Sequence, residues 1–284
     1  MGEAVPETIA WRPLPLFGVE IDHDLSLPLS DEQGRALARL LWERGLLLAR
    51  GQSLSMERQR EICAQVGPIL LRAGESGYLS TNPEVAATRS ELAWHADAAY
   101  TDKPFDALAL HAIDVVDEAS STRFVSAEQG LAGLPGHLKQ RLEGRRVEMI
   151  SPTYDALGGR CCDQIDPPAQ KRGERPAILR NPHNGRDCIG VSELQAARIL
   201  DMPWEDSRDL LHAVYDHLYD PSCVFEHRWR NGDFVIWDNI ALQHARGSLD
   251  GCGVRVLQRV IVGREGVAPH IPLAAPAPPS VRAP

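Results

Sequence analysis

With 284 residues, 43% of them hydrophobic, the chain can bury a sizeable core and still fit one elaborated β barrel or sandwich. Thirty basic against 39 acidic residues leave a net charge of −9, the wrong sign for neutralising phosphates along a duplex, so nucleic acid is not an expected partner. No stretch approaches the ~18 apolar residues of a membrane span; the N-terminus lacks a signal-peptide pattern and the six cysteines include no C-x-x-C pair, which predicts a cytoplasmic protein with reduced thiols and no membrane partner.

The first thirty residues carry Pro6, Pro13, Pro15 and Pro28 and read as an arm with an edge strand near Leu16 to Ile21. Ser30 before Asp31-Glu32-Gln33 caps a helix whose Ala36, Leu37, Leu40, Leu41 and Trp42 recur at helical spacing, and Gly45 ends it. Leu46 to Arg50 then reads as a buried strand, and Ser55 to about Val66 as a second amphipathic helix with Met56, Ile62 and Cys63 inward. Between Gly67 and Arg89 the helical signal stops; Gly74, Gly77, Asn82 and Pro83 mark loops around a strand at Tyr78-Leu79-Ser80. Asp106 to Val116 and Thr122 to Val125 are predicted strands, Ser126 caps a short helix, and Leu138 to Leu142 continue after Pro135-Gly136. Ser151 to Arg175, with Gly158-Gly159 and Pro167-Pro168, reads as an exposed or mobile insertion, for which a lid is one use. A strand and turn at Pro176 to Asn181, a helix over Glu205 to Tyr219, and strands at Val224 to Trp229, Phe234 to Trp237 and Val254 to Val262 follow. The tail from Ala268 is Pro- and Ala-rich and reads as disordered, which leaves 1–267 as one domain. The class is mainly β with helices (α+β), a jelly-roll-like core with helical insertions.

Two stretches carry the chemistry. If the segment around His95-x-Asp97 is extended, the imidazole and the carboxylate leave one face of the strand together. Far along the chain, the run Phe234 to Trp237 reaches a turn at Asp238-Asn239 and ends on His244. Two histidines and one carboxylate with the other positions open suit a non-haem Fe(II) oxygenase. Arg255 and Arg259, four apart on an otherwise apolar strand, share a face, and a buried guanidinium needs an anion such as a small dicarboxylate. A cupin-like isomerase or hydrolase with another metal, or a β binding domain whose His and Asp are incidental, stays open at this point. For other polar residues the bland reading leads: His111 as a bonded core histidine, His212 and His217 as helix-surface residues, Asp238 as a turn former, Cys161-Cys162 as inert thiols, and Trp94 and Trp237 as walls of the site.

His95-x-Asp97, Thr122, His244, Arg255, Arg259 and the Trp237-Asp238-Asn239 turn together resemble the taurine dioxygenase family of Fe(II)- and 2-oxoglutarate-dependent dioxygenases, over about residues 30 to 263. The resemblance implies a double-stranded β-helix, iron on His95, Asp97 and His244, the distal carboxylate of 2-oxoglutarate on Thr122 and Arg255, and an anionic part of the substrate at Arg259. It implies O2 as oxidant, a small-molecule substrate, and release of succinate and CO2, with assembly into a homo-oligomer left open. Halogenating relatives replace the carboxylate ligand by a small residue, so an intact Asp97 points to hydroxylation, desaturation or ring formation. Two departures stand out: Ala119-Ser120-Ser121 replace the glycines usual before the Thr, and Glu91 stands where relatives often place a substrate-contacting Asn. An acid there would repel a sulfonate, which argues against taurine and for a substrate bearing an amine, unless Glu91 faces solvent or pairs with an arginine such as Arg89.

Overall fold

A computed structural model describes residues 8–71, 77–81, 89–152 and 159–265. In chain order its strands are β1 (Ala10–Pro13), β2 (Val19–Asp22), β3 (Leu46–Ala49), β4 (Tyr78–Ser80), β5 (Leu92–His95), β6 (Ala107–Val115), β7 (Ser121–Ser126) and β8 (Arg146–Pro152). They continue with β9 (Ala169–Pro176), β10 (Ile178–Arg180), β11 (Asp187–Ile189), β12 (Ala196–Ile199), β13 (Phe225–Arg228), β14 (Phe234–Asp238), β15 (Leu242–Arg246) and β16 (Arg255–Val262). The α-helices are α1 (Asp31–Arg44), α2 (Met56–Ala64), α3 (Ala127–Gly133), α4 (Gly136–Leu142) and α5 (Trp204–Leu218). The protein is a strand-rich α+β fold.

A seven-stranded sheet runs β1-β2-β3-β14-β6-β16-β4, and a four-stranded sheet runs β13-β7-β15-β5. Strand alternation gives the large sheet two apolar faces. Leu48, Leu110, Trp237 and Leu257 join Phe124 and Leu242 of the small sheet in one buried cluster between the sheets. The opposite face, with Leu47, Ala109, Phe234 and Val260, is covered by Leu37 and Leu41 of α1 and Ile62 of α2. The outer face of the small sheet, with Trp94, Val125 and Ala245, packs on α3, α4 and the Leu210, Val214 and Leu218 stripe of α5. The layers are therefore helix, large sheet, small sheet, helix, and polar residues pointing between the two sheets are shielded from both sides.

Helix α1 forms where its caps direct it. Ser30 accepts from the Gln33 backbone while the Gln33 side chain accepts from the Ser30 N–H, a capping box worth about 1 kcal/mol, and Gly45 in the left-handed region (φ 80) ends the helix into β3.

Two expectations are corrected, the second in part. The strand near residue 20 is not an edge, because β1 lies outside it in the large sheet. The stretch 151–175 is only partly an exposed loop where it is described: residues 163–168 are mostly exposed, but β8 and β9 form an antiparallel pair, β12 adds a third strand, and Cys161 and Cys162 are buried. Residues 153–158, Gly74, Asn82, Pro83 and the tail beyond Glu265 lie outside the described residues. The turn expected at Asp238-Asn239 lies at residues 239–241 and leads into β15, which carries His244.

Candidate metal centre

His95 closes β5, and its ladder partner is His244 on β15, the strand between β5 and β7. Both imidazoles point into the space between the sheets, their ring centroids 4.1 Å apart, with Trp237 edge-on to His244 at 5.1 Å. Asp97 comes two residues later, where the strand has given way to a turn and Ala98 takes a positive φ of 58°. The expectation of a strand across His95-x-Asp97 therefore fails at its second residue, yet the turn returns the carboxylate to the imidazole: His95 Nε2 lies 3.3 Å from Asp97 Oδ1. One ligand atom from each of His95, Asp97 and His244 lies within 4.8 Å of the others.

The protonation pattern fits a metal. His95 Nδ1 lies 2.8 Å from the Ala93 carbonyl, which can only accept, so Nδ1 carries the proton and Nε2 keeps its lone pair toward Asp97 and His244. His244 is buried, its Nδ1 has no protein partner, and burial together with the neighbouring His95 pushes its pKa down to about 3 despite the attraction of Asp97. Burial alone would raise the Asp97 carboxyl; a hydrogen bond from His95 and the charges of His244 and His95 whenever those rings are protonated, together with Arg259, outweigh it and hold the group well below the usual carboxylate range, and a divalent cation would supply that charge when both imidazoles are neutral. Two neutral imidazoles and one carboxylate are the protonation states a divalent ion requires.

Two further features face the same interior. Arg255 opens β16, is 4% exposed, and its Nε has no partner among the described residues. Burial, reinforced by the nearby charge of Arg246, brings the guanidinium down to about 10. A buried cation so placed calls for an anion. Thr122, on β7, accepts a 3.0 Å hydrogen bond at Oγ1 from the Trp229 indole N–H. An indole only donates, so the Thr122 hydroxyl proton is left for another acceptor. Arg259, on the same face of β16 as Leu257 and Ile261, adds positive charge toward Asp97.

Other expectations separate from this centre. Glu91 is exposed and pairs with Arg123 at 3.2 Å, not with Arg89, which donates to the Thr81 and Leu249 carbonyls. Its charge is answered by a guanidinium in an exposed pair, as the reading with an arginine partner expected, with Arg123 in the place of Arg89. Trp94 does not wall the centre: it stacks on Tyr219 at 4.9 Å on the outer face of the small sheet, whereas Trp237 does flank His244. His227 lies 3.2 Å from Asp233 and is no ligand. His111 meets Gln258 and the Gln52 carbonyl, as a core histidine should. A second group, Cys162, Asp163 and His212, is already engaged, since the His212 ring nitrogens meet Asp163 at 2.6 Å and Arg160 at 3.0 Å.

A family model described as "Taurine catabolism dioxygenase TauD, TfdA family" matches residues 10–261. The chain belongs to this family. It is accordingly an Fe(II)- and 2-oxoglutarate-dependent dioxygenase that uses O2. Among curated relatives, this dioxygenase is 26% identical over 276 residues to an alpha-ketoglutarate-dependent 2,4-dichlorophenoxyacetate dioxygenase of Cupriavidus pinatubonensis, covering 86% of this chain and 94% of the relative. It is 28% identical over 182 residues to pentalenolactone F synthase of Streptomyces arenae, an alignment spanning 60% of this chain and 61% of that one. A solved taurine dioxygenase from Burkholderia xenovorans shares its fold, with a TM-score of 0.75, 21% identity and coverage of 92% and 93% of the two chains. AAD-2 in complex with Mn(II) and N-oxalylglycine superposes with a TM-score of 0.74 at 21% identity, over 93% of this chain and 100% of that one.

Sequence reasoning about the dioxygenase missed Trp229, Arg246 and Asn239. The first two sit near strand ends with no local motif, and only the pairing of β13 with β7 and the closeness of Arg246 to Arg255 bring them to the centre. Asn239 was visible only as a turn residue.

Proposed function

We propose that His95, Asp97 and His244 hold the iron, that Thr122 and Arg255 bind the distal carboxylate of 2-oxoglutarate, and that Arg259 receives an anionic group of a small organic substrate. The observation that carries this reading is the meeting of three remote ligand atoms within 4.8 Å, together with a buried arginine whose Nε has no partner among the described residues. Two relatives named for 2,4-dichlorophenoxyacetate and (S)-phenoxypropionate point to carboxylate-bearing substrates, and the positive charge of Arg259 suits them. The two facing sheets are in keeping with a double-stranded β-helix, residues 1–267 with one domain followed by a short tail, and the reduced, mostly buried thiols with a cytoplasmic protein.

When bound, iron with 2-oxoglutarate supplies the oxidising power: O2 is reduced as the keto acid loses CO2 to become succinate, and one oxygen atom is left for the substrate. The chain's residues set aim and access. His95 is locked in one tautomer by the Ala93 carbonyl, so its Nε2 is presented without reorganisation. Asp97 would supply one negative charge and a carboxylate in place of a third imidazole, so that only three protein groups would hold the metal and room would be left beside it for small molecules. Thr122, its oxygen already holding the Trp229 N–H, turns its own proton toward the cosubstrate, while Arg255 neutralises that carboxylate away from water. Trp237 and Phe124 pack on His244 and keep the region behind it dry.

The test is an anaerobic titration with Fe(II) and 2-oxoglutarate, followed by the weak visible charge-transfer band of the chelate, then a screen of small organic acids for succinate release on admitting air. One iron per chain and a band that His244→Ala abolishes are expected. A band that survives both His244→Ala and Asp97→Ala would refute the assignment.

A further inference from the structure

Asp97 leaves β5 before its backbone can enter a ladder, and the next residue sits at φ 58°, a conformation L-residues rarely adopt. Something must hold this peptide, and a side chain from the turn after β14 does so. Asn239 Oδ1 accepts from the Asp97 N–H at 2.9 Å, and Asn239 Nδ2 donates to the Asp97 carbonyl at 2.9 Å. Its second N–H goes to the Phe105 carbonyl at 3.0 Å. The carboxamide thus stands in for a neighbouring strand, making the reciprocal pair of bonds that an antiparallel partner would make. Its orientation is unique: turning the amide over would set N–H against N–H and oxygen against two carbonyls. Asn239 is 1% exposed, and its own N–H donates to the Asp106 carbonyl at 3.0 Å. The preceding residue, Asp238, donates its N–H to the Gly45 carbonyl and accepts from the Ile240 and Ala241 N–H groups. The turn that carries the clamp is therefore fixed to the large sheet and to the end of α1.

We infer that Asn239 is a positioning residue for the metal centre: by gripping both backbone groups of Asp97 it sets where the carboxylate stands relative to His95 and His244. The inference rests on the reading of Asp97 as a ligand. His95 and His244 are aligned by the sheet itself, as ladder partners. Asp97 has no ladder, so the amide of Asn239 does for the third ligand what β pairing does for the other two. Loss of such support beyond the ligands themselves costs about 10- to 100-fold in metal affinity.

The test compares Asn239→Ala and Asn239→Asp with the parent and with Ile62→Val, a core change under α2 remote from the centre. Mn(II) alone is titrated at a temperature where each variant is folded, followed by Fe(II) with 2-oxoglutarate for the charge-transfer band. Hydrogen exchange at the Asp97 amide is read without metal. Both Asn239 variants are expected to raise the Mn(II) Kd about 10- to 100-fold, to shift or weaken the band, and to speed exchange at Asp97, while Ile62→Val changes none of these. Asn239→Asp keeps the acceptor but sets a buried carboxylate oxygen against the Asp97 and Phe105 carbonyls, so an effect at least as large as that of Asn239→Ala is expected from it. Parental Kd and band in folded Asn239 variants would overturn the inference, and so would failure of both to fold, which would make the residue a determinant of folding only. If His244→Ala also leaves Mn(II) binding intact, the fault lies with the ligand assignment and not with the clamp.

Discussion

The two facing sheets are built on different terms. The large sheet carries long, regular pairings, with β14 matched without a break to β3 on one side and β6 on the other, and apolar side chains on both faces. The small sheet has shorter strands, a register shift between His244 and Arg246, and His95, Thr122, His227 and His244 buried along it. Among the described residues His227 and His244 leave ring nitrogens without a hydrogen-bond partner, as do Trp237 Nε1 and Arg255 Nε on the large sheet. Burying polar groups without partners costs about 1–3 kcal/mol each, a cost the large sheet and its helices offset. The contrast puts both candidate histidine ligands and Thr122 on the small sheet, while the large sheet carries most of the apolar packing and adds Arg255 and Arg259 from β16.

The sharpest way to break that contrast is a pair of truncations. Phe234→Ala in β14 should destabilise by about 3–5 kcal/mol and lose activity only through unfolding, whereas His244→Ala should abolish succinate production with far less change in melting temperature. Calorimetry beside a succinate assay decides it, and equal thermal losses in the two variants would erase the distinction. A smaller effect of mixed sign is expected at the seam: Arg255→Met should raise the KM for 2-oxoglutarate by about 10- to 100-fold while leaving the ligand-free melting temperature unchanged or higher, because it removes a buried charge whose Nε has no partner among the described residues.

Next comes pH. Burial raises the Asp238 carboxyl to about 6, against the hydrogen bonds of Ala241, Asn181 and Ile240 and the charge of His183. The folded state therefore binds this proton more tightly than the unfolded chain, so the group's contribution to stability is greatest below about pH 4, falls as pH rises toward 6, and is flat above. A difference of about two pH units corresponds to roughly 3 kcal/mol. Urea melts of the parent minus those of Asp238→Asn should show this slope between pH 4 and 6, and a slope of opposite sign would contradict it. The smallest effect belongs to Glu91→Gln: the Arg123 pair is exposed, so stability should change by less than about 1 kcal/mol, and the KM of any substrate found should stay put.

Much of the large sheet was legible in the sequence because its strands are apolar runs and its first helix announces both ends, at Ser30 and Gly45. The triad residues were legible as residue types, although their convergence is tertiary. The pair β8–β9 was missed for a physical reason: its cross-strand contacts are ionic. Glu148 meets Arg172 at 3.1 Å and Arg198 at 2.9 Å, and Arg146 meets Glu174 at 3.3 Å, so charges stand where alternating apolar residues would signal strand. β15 was hidden because Leu242-Gln243-His244-Ala245-Arg246 begins four residues after β14 ends, and polar side chains stand on both its faces, His244 toward the centre and Gln243 bonded to Tyr219 and the Val191 carbonyl on the outer side. The Asn239 clamp has no local signature, since its partner lies 142 residues earlier.

Arg255 projects inward from one sheet and Thr122 from the other. A dicarboxylic keto acid lodged between them would act as a rivet through both layers, joining β16 to β7 by ionic and hydroxyl contacts that the empty protein cannot make. Filling the site should then slow the parting of the layers as a whole, so that protection from hydrogen exchange spreads along both strands well away from the atoms that touch the acid.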